Sequence, residues 1–245
     1  MQFRAHARLT AMKREYGSWT SGALSRPMEF LWFGDRGRPV LFFPTSMGTF
    51  YQNEDFGLTE ALADKVDAGW LQLICVDSVD AESWYNRKIP PGDRARRHDE
   101  YDRYLRDEML PYITSRTGGN IVTVGASFGA YHAANVAARY PGVVTKAICF
   151  SGLYDVYQFL DGYWDDTCYY HTPMAYIANM DDAWKEKLRE VEWVVATGEN
   201  DSLARQNREF AALLERQGQR VQAEFWPGVF GHDWPYWKEN IRRFI

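Results

Sequence analysis

Short apolar runs alternate with longer amphipathic stretches along most of this sequence, and that alternation limits the fold more sharply than any other feature. The short segments of that pattern fall at Pro39–Phe43, Leu71–Val76, Ile121–Val124, Ala147–Phe150, Glu192–Thr197 and Gln222–Trp226. Each is too short for a buried helix and reads as a strand. Helical stretches follow near Leu58–Ala68, Arg94–Arg116, Ser127–Tyr140 and Ser202–Gln217, with a last one from about Trp234. Strands and helices in this order predict an α/β fold, a mostly parallel central sheet with helices on both faces.

Two leading strands, Phe3–Thr10 and Met28–Gly34, are expected to pair antiparallel ahead of that series. Asp93 is expected to N-cap the long helix, and Pro111 to kink or shorten it. Residues 152–190 break the rhythm, mixing Tyr154, Tyr157, Phe159, Tyr163, Trp164, Tyr169 and Tyr170 with Asp155, Asp161, Asp165 and Asp166. That stretch reads as an irregular, aromatic-rich insertion or cap, and residues 1–245 as one domain, since α/β folds of roughly 200–250 residues often do not split.

Composition excludes several partners. The formal net charge of −5 argues against nucleic acid or an anionic membrane, which need a concentrated basic surface. The one basic cluster, Arg94, Arg96, Arg97 and His98, runs into Asp99, Glu100 and Asp102, so it reads as a solvated helix face with Asp99–Arg103 and Asp102–Arg106 pairs. Cys75, Cys149 and Cys168 are odd in number and widely spaced, which does not suit a disulfide framework. The first residues carry no apolar signal core, and no run approaches the ~20 apolar residues of a membrane span, so a reducing cytoplasm is the expected location. With 10 Trp, 15 Tyr and 14 Phe, the core is not expected to absorb every ring, which leaves some for an aromatic-lined cleft.

The chemistry centres on Gly125-Ala126-Ser127-Phe128-Gly129. A five-residue G-x-S-x-G pattern is weak alone. Here it follows an apolar strand and opens an alanine-rich helix, the placement of a nucleophile elbow. The turn is tight, and glycine on either side avoids Cβ clashes with strand and helix.

A serine hydroxyl needs a base, and the elbow's partners follow it in the order acid, then histidine. His6 and His98 precede Ser127, and His132 lies five residues on, pointing to another face. His232 follows the last strand, in a loop returning over the strand ends, where ligands sit in open α/β sheets. It is the first choice, with His171 as the runner-up base. The acid belongs just past Glu192–Thr197, where Asp201 and Glu199 both qualify; Asp201 also reads as a helix N-cap. An oxyanion hole needs two N–H donors. One is expected from Phe128 and the second from Ser46 or Met47, in the loop after Pro39–Phe43.

Together these residues resemble the putative-esterase family of the α/β-hydrolases, which includes S-formylglutathione hydrolases, feruloyl esterases and mycolyltransferases. The resemblance spans most of the chain and rests on Phe43–Gly57, Asp77–Asn86, Gly125–Ala134, Gly198–Asp201 and Gly231–Trp237. It implies the α/β-hydrolase fold and hydrolysis of carboxylic esters by a Ser–Asp–His triad, which falls on Ser127, Asp201 and His232. Where many relatives have His-Gly or Ser-Gly in the oxyanion loop, this chain has Pro44-Thr45.

Trp84 and Tyr85 follow a central strand and are expected to border the substrate pocket, either stacking on substrate or packing beneath the 152–190 insertion. Asp161, Asp165 and Asp166 match no calcium-loop spacing, and no zinc-hydrolase, P-loop or dinucleotide motif occurs, so no metal and no cofactor are expected. The expected partner is a small-molecule ester. An acyltransferase using the same triad and a non-catalytic binding module are the other classes considered.

Overall fold

The computed structural model describes residues 12–245; the strand expected at Phe3–Thr10 lies outside them. Eight strands form one sheet: β1 (Arg14–Ser21), β2 (Arg26–Phe33), β3 (Arg38–Phe42), β4 (Leu71–Val76), β5 (Ile121–Ala126), β6 (Val144–Phe150), β7 (Glu192–Gly198) and β8 (Arg220–Trp226). Their spatial order is β1-β2-β4-β3-β5-β6-β7-β8. The β1–β2 and β2–β4 pairs are antiparallel and the others parallel.

The helices of eight or more residues are α1 (Pro91–Tyr104), α2 (Leu110–Thr117), α3 (Phe128–Arg139), α4 (Ala204–Arg216) and α5 (Trp234–Phe244). Alternate side chains of the central strands feed two separate cores. Leu41, Ile74 and Val195 face one, which Tyr101, Ile113, Ala133 and Phe210 of α1 to α4 complete. Val40, Phe42, Cys75 and Val194 face the other, against Leu62, Val66, Trp237 and Ile241. This is the expected α/β-hydrolase sheet, covered on both faces.

Several local expectations are corrected. The strand missed between 12 and 28 is β1, a polar edge strand held by pairing with all eight residues of β2. The stretch Leu58–Ala68 is broken into a 3-10 turn at Glu60–Leu62 and a short helix at Ala63–Asp67. Asp93 is not the N-cap of α1. The helix starts three residues earlier than expected, at Pro91, because proline at the first position gives up only an N–H that would lack a partner anyway. Pro111 does not end the helical run. A π-turn at Leu105–Met109, closed by the Leu110 N–H on the Leu105 carbonyl, widens the ladder just before the ring.

The basic cluster is not a solvated face throughout. Arg94, His98 and Asp102 are all buried. Arg94 donates to the carbonyls of Asn86 (2.8 Å) and Phe159 (2.6 Å) and to Asp161, tying α1 to the segment after β6. Asp102 accepts from Arg139 at 3.0 Å, not from Arg106, whereas the Asp99–Arg103 pair forms at 3.3 Å.

Residues 152–190 carry short helices at Asp166–Tyr170, Pro173–Tyr176 and Asp182–Leu188. Leu153, Val156, Phe159, Leu160 and Cys168 pack with Trp84, Phe128 and Tyr131 into a third apolar cluster beside the C-terminal end of β5.

Candidate active site

Ser127 stands between β5 and α3 with φ 55° and ψ −123°, a conformation L-residues rarely adopt. The turn is pinned by the Ser127 N–H on the Phe150 carbonyl at 2.9 Å. Its two glycines have steric causes. A Cβ on Gly125 would collide with the Gly129 carbonyl, and one on Gly129 would lie 2.5 Å from the Pro44 carbonyl. Gly125→Ala is therefore expected to destabilise by about 3 kcal/mol or more, since the overlap is with helix backbone and no rotamer relieves it. Urea unfolding checks this; stability within 1 kcal/mol of wild type would show that the elbow relaxes.

His232 is placed by backbone contact. Gly231 has φ +69°, and a Cβ on it would strike the Gly198 backbone, so the returning loop lies directly on the end of β7. The His232 Nε2 is 3.1 Å from Ser127 Oγ, and its Nδ1 is 3.1 Å from both carboxylate oxygens of Asp201. A carboxylate only accepts, so Nδ1 carries the proton and Nε2 presents its lone pair to the serine hydroxyl. Asp201 also accepts from the Thr197 hydroxyl (2.7 Å) and the Leu203 N–H (2.8 Å). Burial alone would raise its pKa, but the hydrogen bonds from His232, Leu203 and Thr197 outweigh burial and bring the carboxyl down to about 2.

That depression has a sign in stability. The folded carboxyl titrates below the ordinary ~3.9, so its contribution is full above about pH 4 and is lost as pH falls toward 2. The stability gap between wild type and Asp201→Asn should therefore shrink over that window, by about 2 kcal/mol at most. Denaturant unfolding of both proteins at pH 7 and pH 2.5 checks it; an unchanged gap would contradict the assignment.

The other sequence candidates separate clearly. Glu199 is exposed and accepts the Gly228 N–H at 3.2 Å, with no hydrogen bond to His232. His171, the runner-up base, is buried, with Nε2 3.1 Å from Asp99 and Nδ1 3.4 Å from Asn135, and makes no hydrogen bond to Ser127. His132 pairs with Asp80 at 2.8 Å, both buried.

The N–H groups of the oxyanion loop differ in their partners. Pro44 has no N–H. The Thr45 N–H goes to Gln52 Oε1 (2.7 Å), the Gly48 N–H to the Thr45 carbonyl (2.9 Å) and the Met47 N–H to Asp80 Oδ2 (3.2 Å). Met47 is thus corrected as a donor, because its N–H is already committed. Ser46 has the one N–H of Pro44–Gly48 without a protein partner among the described residues. The Phe128 N–H, first of α3, has no acceptor within its own helix.

Of its two expected roles, Trp84 takes packing beneath the insertion and not stacking on substrate: it is fully buried, against His98 and Phe159. Tyr85 is half-buried beside the site, its ring against Phe128 and Phe159 and its hydroxyl donating to Ser46 Oγ at 2.8 Å. The aromatic-lined cavity lies elsewhere. An open cleft of about 440 Å³ is lined by Arg139, Tyr140, Tyr169, Tyr170, Tyr176 and Trp184, among others, and by none of Ser127, Asp201 and His232.

Sequence reasoning missed Ser151 and Thr197. The Ser151 hydroxyl lies 3.1 Å from that of Thr197 and 3.2 Å from the Gly231 carbonyl, joining the acid's support to the histidine loop. The only sequence signal was their place at the ends of β6 and β7. Among the described residues no group of three or more His, Cys, Asp or Glu side chains is arranged to hold a metal ion. No helix among them is long and apolar enough to cross a membrane.

A mostly parallel sheet with a strained serine between strand and helix, and a histidine returning over the strand ends, defines an α/β-hydrolase. The family model described as "Putative esterase" matches residues 23–243, and the chain belongs to that family of esterase-type enzymes. Solved structures agree in fold. A ferulic acid esterase superposes with TM-score 0.76 at 18% identity, over 96% of each chain. An S-formylglutathione hydrolase from Agrobacterium tumefaciens gives 0.74 at 12% identity, over 96% of this chain and 93% of that one. A fluorophosphonate-binding serine hydrolase from Staphylococcus aureus gives 0.69 at 17% identity, over 96% and 97%. Direct comparison with curated proteins finds no match.

Proposed function

We propose that this chain is a serine carboxylesterase in which Ser127, His232 and Asp201 form the catalytic triad. The observation that carries the reading is the continuous chain of contacts from Asp201 through His232 to Ser127. Ser127 Oγ attacks the ester carbonyl while His232 Nε2 takes its proton. The N–H groups of Phe128 and Ser46 receive the negative charge that develops on the carbonyl oxygen. His232 then protonates the departing alcohol, and Asp201 stabilises the imidazolium in between. Water, deprotonated by the same imidazole, releases the acid from the acyl-enzyme.

The substrate is a small-molecule ester. Met47 and Phe230, both exposed, lie next to Ser46 and close before His232 in the chain and offer apolar surface to it. Residues 1–245 form one domain in this reading, with 152–190 as a cap-like insertion whose Phe159 leans on Tyr85 and Phe128. Three unpaired thiols suit work in the cytoplasm.

Labelling with a fluorophosphonate, followed by peptide mapping, tests the reading: a stable adduct is expected on Ser127. An adduct on a different serine, or none on folded protein, removes it. Hydrolysis is separated from acyl transfer by partitioning a p-nitrophenyl ester. Added alcohols or amines should barely change the products; capture of most of the acyl group by a millimolar acceptor against ~55 M water would establish a transferase.

A further inference from the structure

The loop after β4 holds three successive residues of the oxyanion loop. Tyr85 Oη donates to Ser46 Oγ at 2.8 Å, Asp80 Oδ2 accepts the Met47 N–H at 3.2 Å, and Ser78 Oγ donates to the Gly48 carbonyl at 2.8 Å. Met47 needs such holding, because its φ is 55°. Asp80 stands at the centre. Its carbonyl accepts the Tyr85 N–H at 3.0 Å, so it fixes the residue that restrains Ser46 as well as Met47 itself.

Asp80 is fully buried, and a buried carboxylate is tolerated only with a partner. His132 supplies it: Nε2–H donates to Asp80 Oδ1 at 2.8 Å. The His132 ring stacks on Phe43, at the base of the oxyanion loop, with centroids 5.6 Å apart, and meets Phe128 edge-on at 5.2 Å. One buried pair therefore touches the surroundings of both N–H groups assigned to the oxyanion.

We propose that Asp80, backed by His132, is a positioning residue for ester hydrolysis. By taking the Met47 N–H, it turns the peptide chain so that the Ser46 N–H remains free and faces the reacting carbonyl, and through Tyr85 it restrains Ser46 from the side-chain end. The inference rests on the serine-esterase reading and on Ser46 as the second donor. Its signature is loss of transition-state stabilisation with ground-state binding preserved, since the oxyanion exists only after attack begins.

The test compares wild type, Asp80→Ala and Tyr85→Phe on a p-nitrophenyl ester, with rates normalised to the sites that a fluorophosphonate titrates. Asp80→Ala should lower kcat by about 10²-fold, the scale of losing one oxyanion donor, with KM within about threefold. Tyr85→Phe keeps the ring and should lower kcat by about tenfold, again at constant KM. Inhibition by a trifluoromethyl ketone, whose tetrahedral adduct carries the oxyanion, should weaken in proportion to kcat/KM; damage to general folding would instead lower the number of titrated sites and leave this proportion unmet. Folded Asp80→Ala with wild-type kcat, or a loss confined to KM, overturns the proposal. Should Asp80→Ala not fold, Tyr85→Phe decides on the same criteria, and a pure KM effect there would make Tyr85 a substrate contact. Failure of wild type to label at Ser127 would instead strike the esterase reading.

Discussion

Ser127→Ala should leave a folded protein whose kcat for a p-nitrophenyl ester is lower by about 10³-fold or more. The change removes a single oxygen, 3.1 Å from His232 Nε2, and leaves the Ser127 N–H on the Phe150 carbonyl to hold the turn. Alanine has the same Cβ as serine, so the φ of 55° is no harder to reach and the melting temperature should stay close to wild type. What remains without the hydroxyl is oxyanion stabilisation and binding of the ester, a residual catalysis of about 10³–10⁴ over water in other triad hydrolases. Steady-state kinetics beside a thermal melt checks both halves. Retention of more than a tenth of wild-type kcat would show that water is activated without the serine, and the covalent mechanism would fall.

The second large effect separates two acids two residues apart. Asp201→Asn keeps the shape of the side chain but replaces one accepting oxygen by a donor facing His232 Nδ1. Either the imidazole turns its tautomer, taking the lone pair away from Ser127, or the contact breaks. The forming imidazolium also loses its counter-charge. The comparable change in serine proteases costs about 10⁴-fold, and a loss of at least about 10²-fold in kcat is expected here. Glu199→Gln should stay within about tenfold of wild type, because Glu199 is turned to the Gly228 N–H. The reverse order of effects would make Glu199 the working acid and leave Asp201 as a brace for the Leu203 turn.

The parts of the fold legible in the sequence were those whose energetics are local. Leu71–Val76 is apolar but for Gln72 and occupies a central strand with those bounds, every residue buried. β1 was illegible for the opposite reason. Arg14–Ser21 is a half-exposed edge, and only its partner β2 makes it a strand. Pro111 signals a break in isolation, yet the π-turn ahead of it lets the helical run continue. At the site, chain order and strand ends pointed to Ser127 and His232 but left Asp201 and Glu199 both open as the acid, and the family resemblance implied Asp201. The difference between Ser46 and Met47 was not readable, because it lies in the hydrogen bond from the Met47 N–H to Asp80, 33 positions away. Of the two roles open to Trp84 in the sequence, only the fold selects packing, since the ring sinks into the core once α1 and the 152–190 segment close over it.

The conformation of Ser127 sets durability against turnover. Strain in such a backbone region costs on the order of 1–3 kcal/mol, and glycine would release it because it has no Cβ. Part of that gain returns to the more flexible unfolded chain, which glycine stabilises by up to about 1 kcal/mol. Heat selection on a library of this chain, applied without any demand for turnover, should therefore accept glycine at 127 and enrich for sturdy, inert variants. A screen for robustness would need an activity readout in every round, since the position most rewarded for relaxing is the one that carries the reactive oxygen.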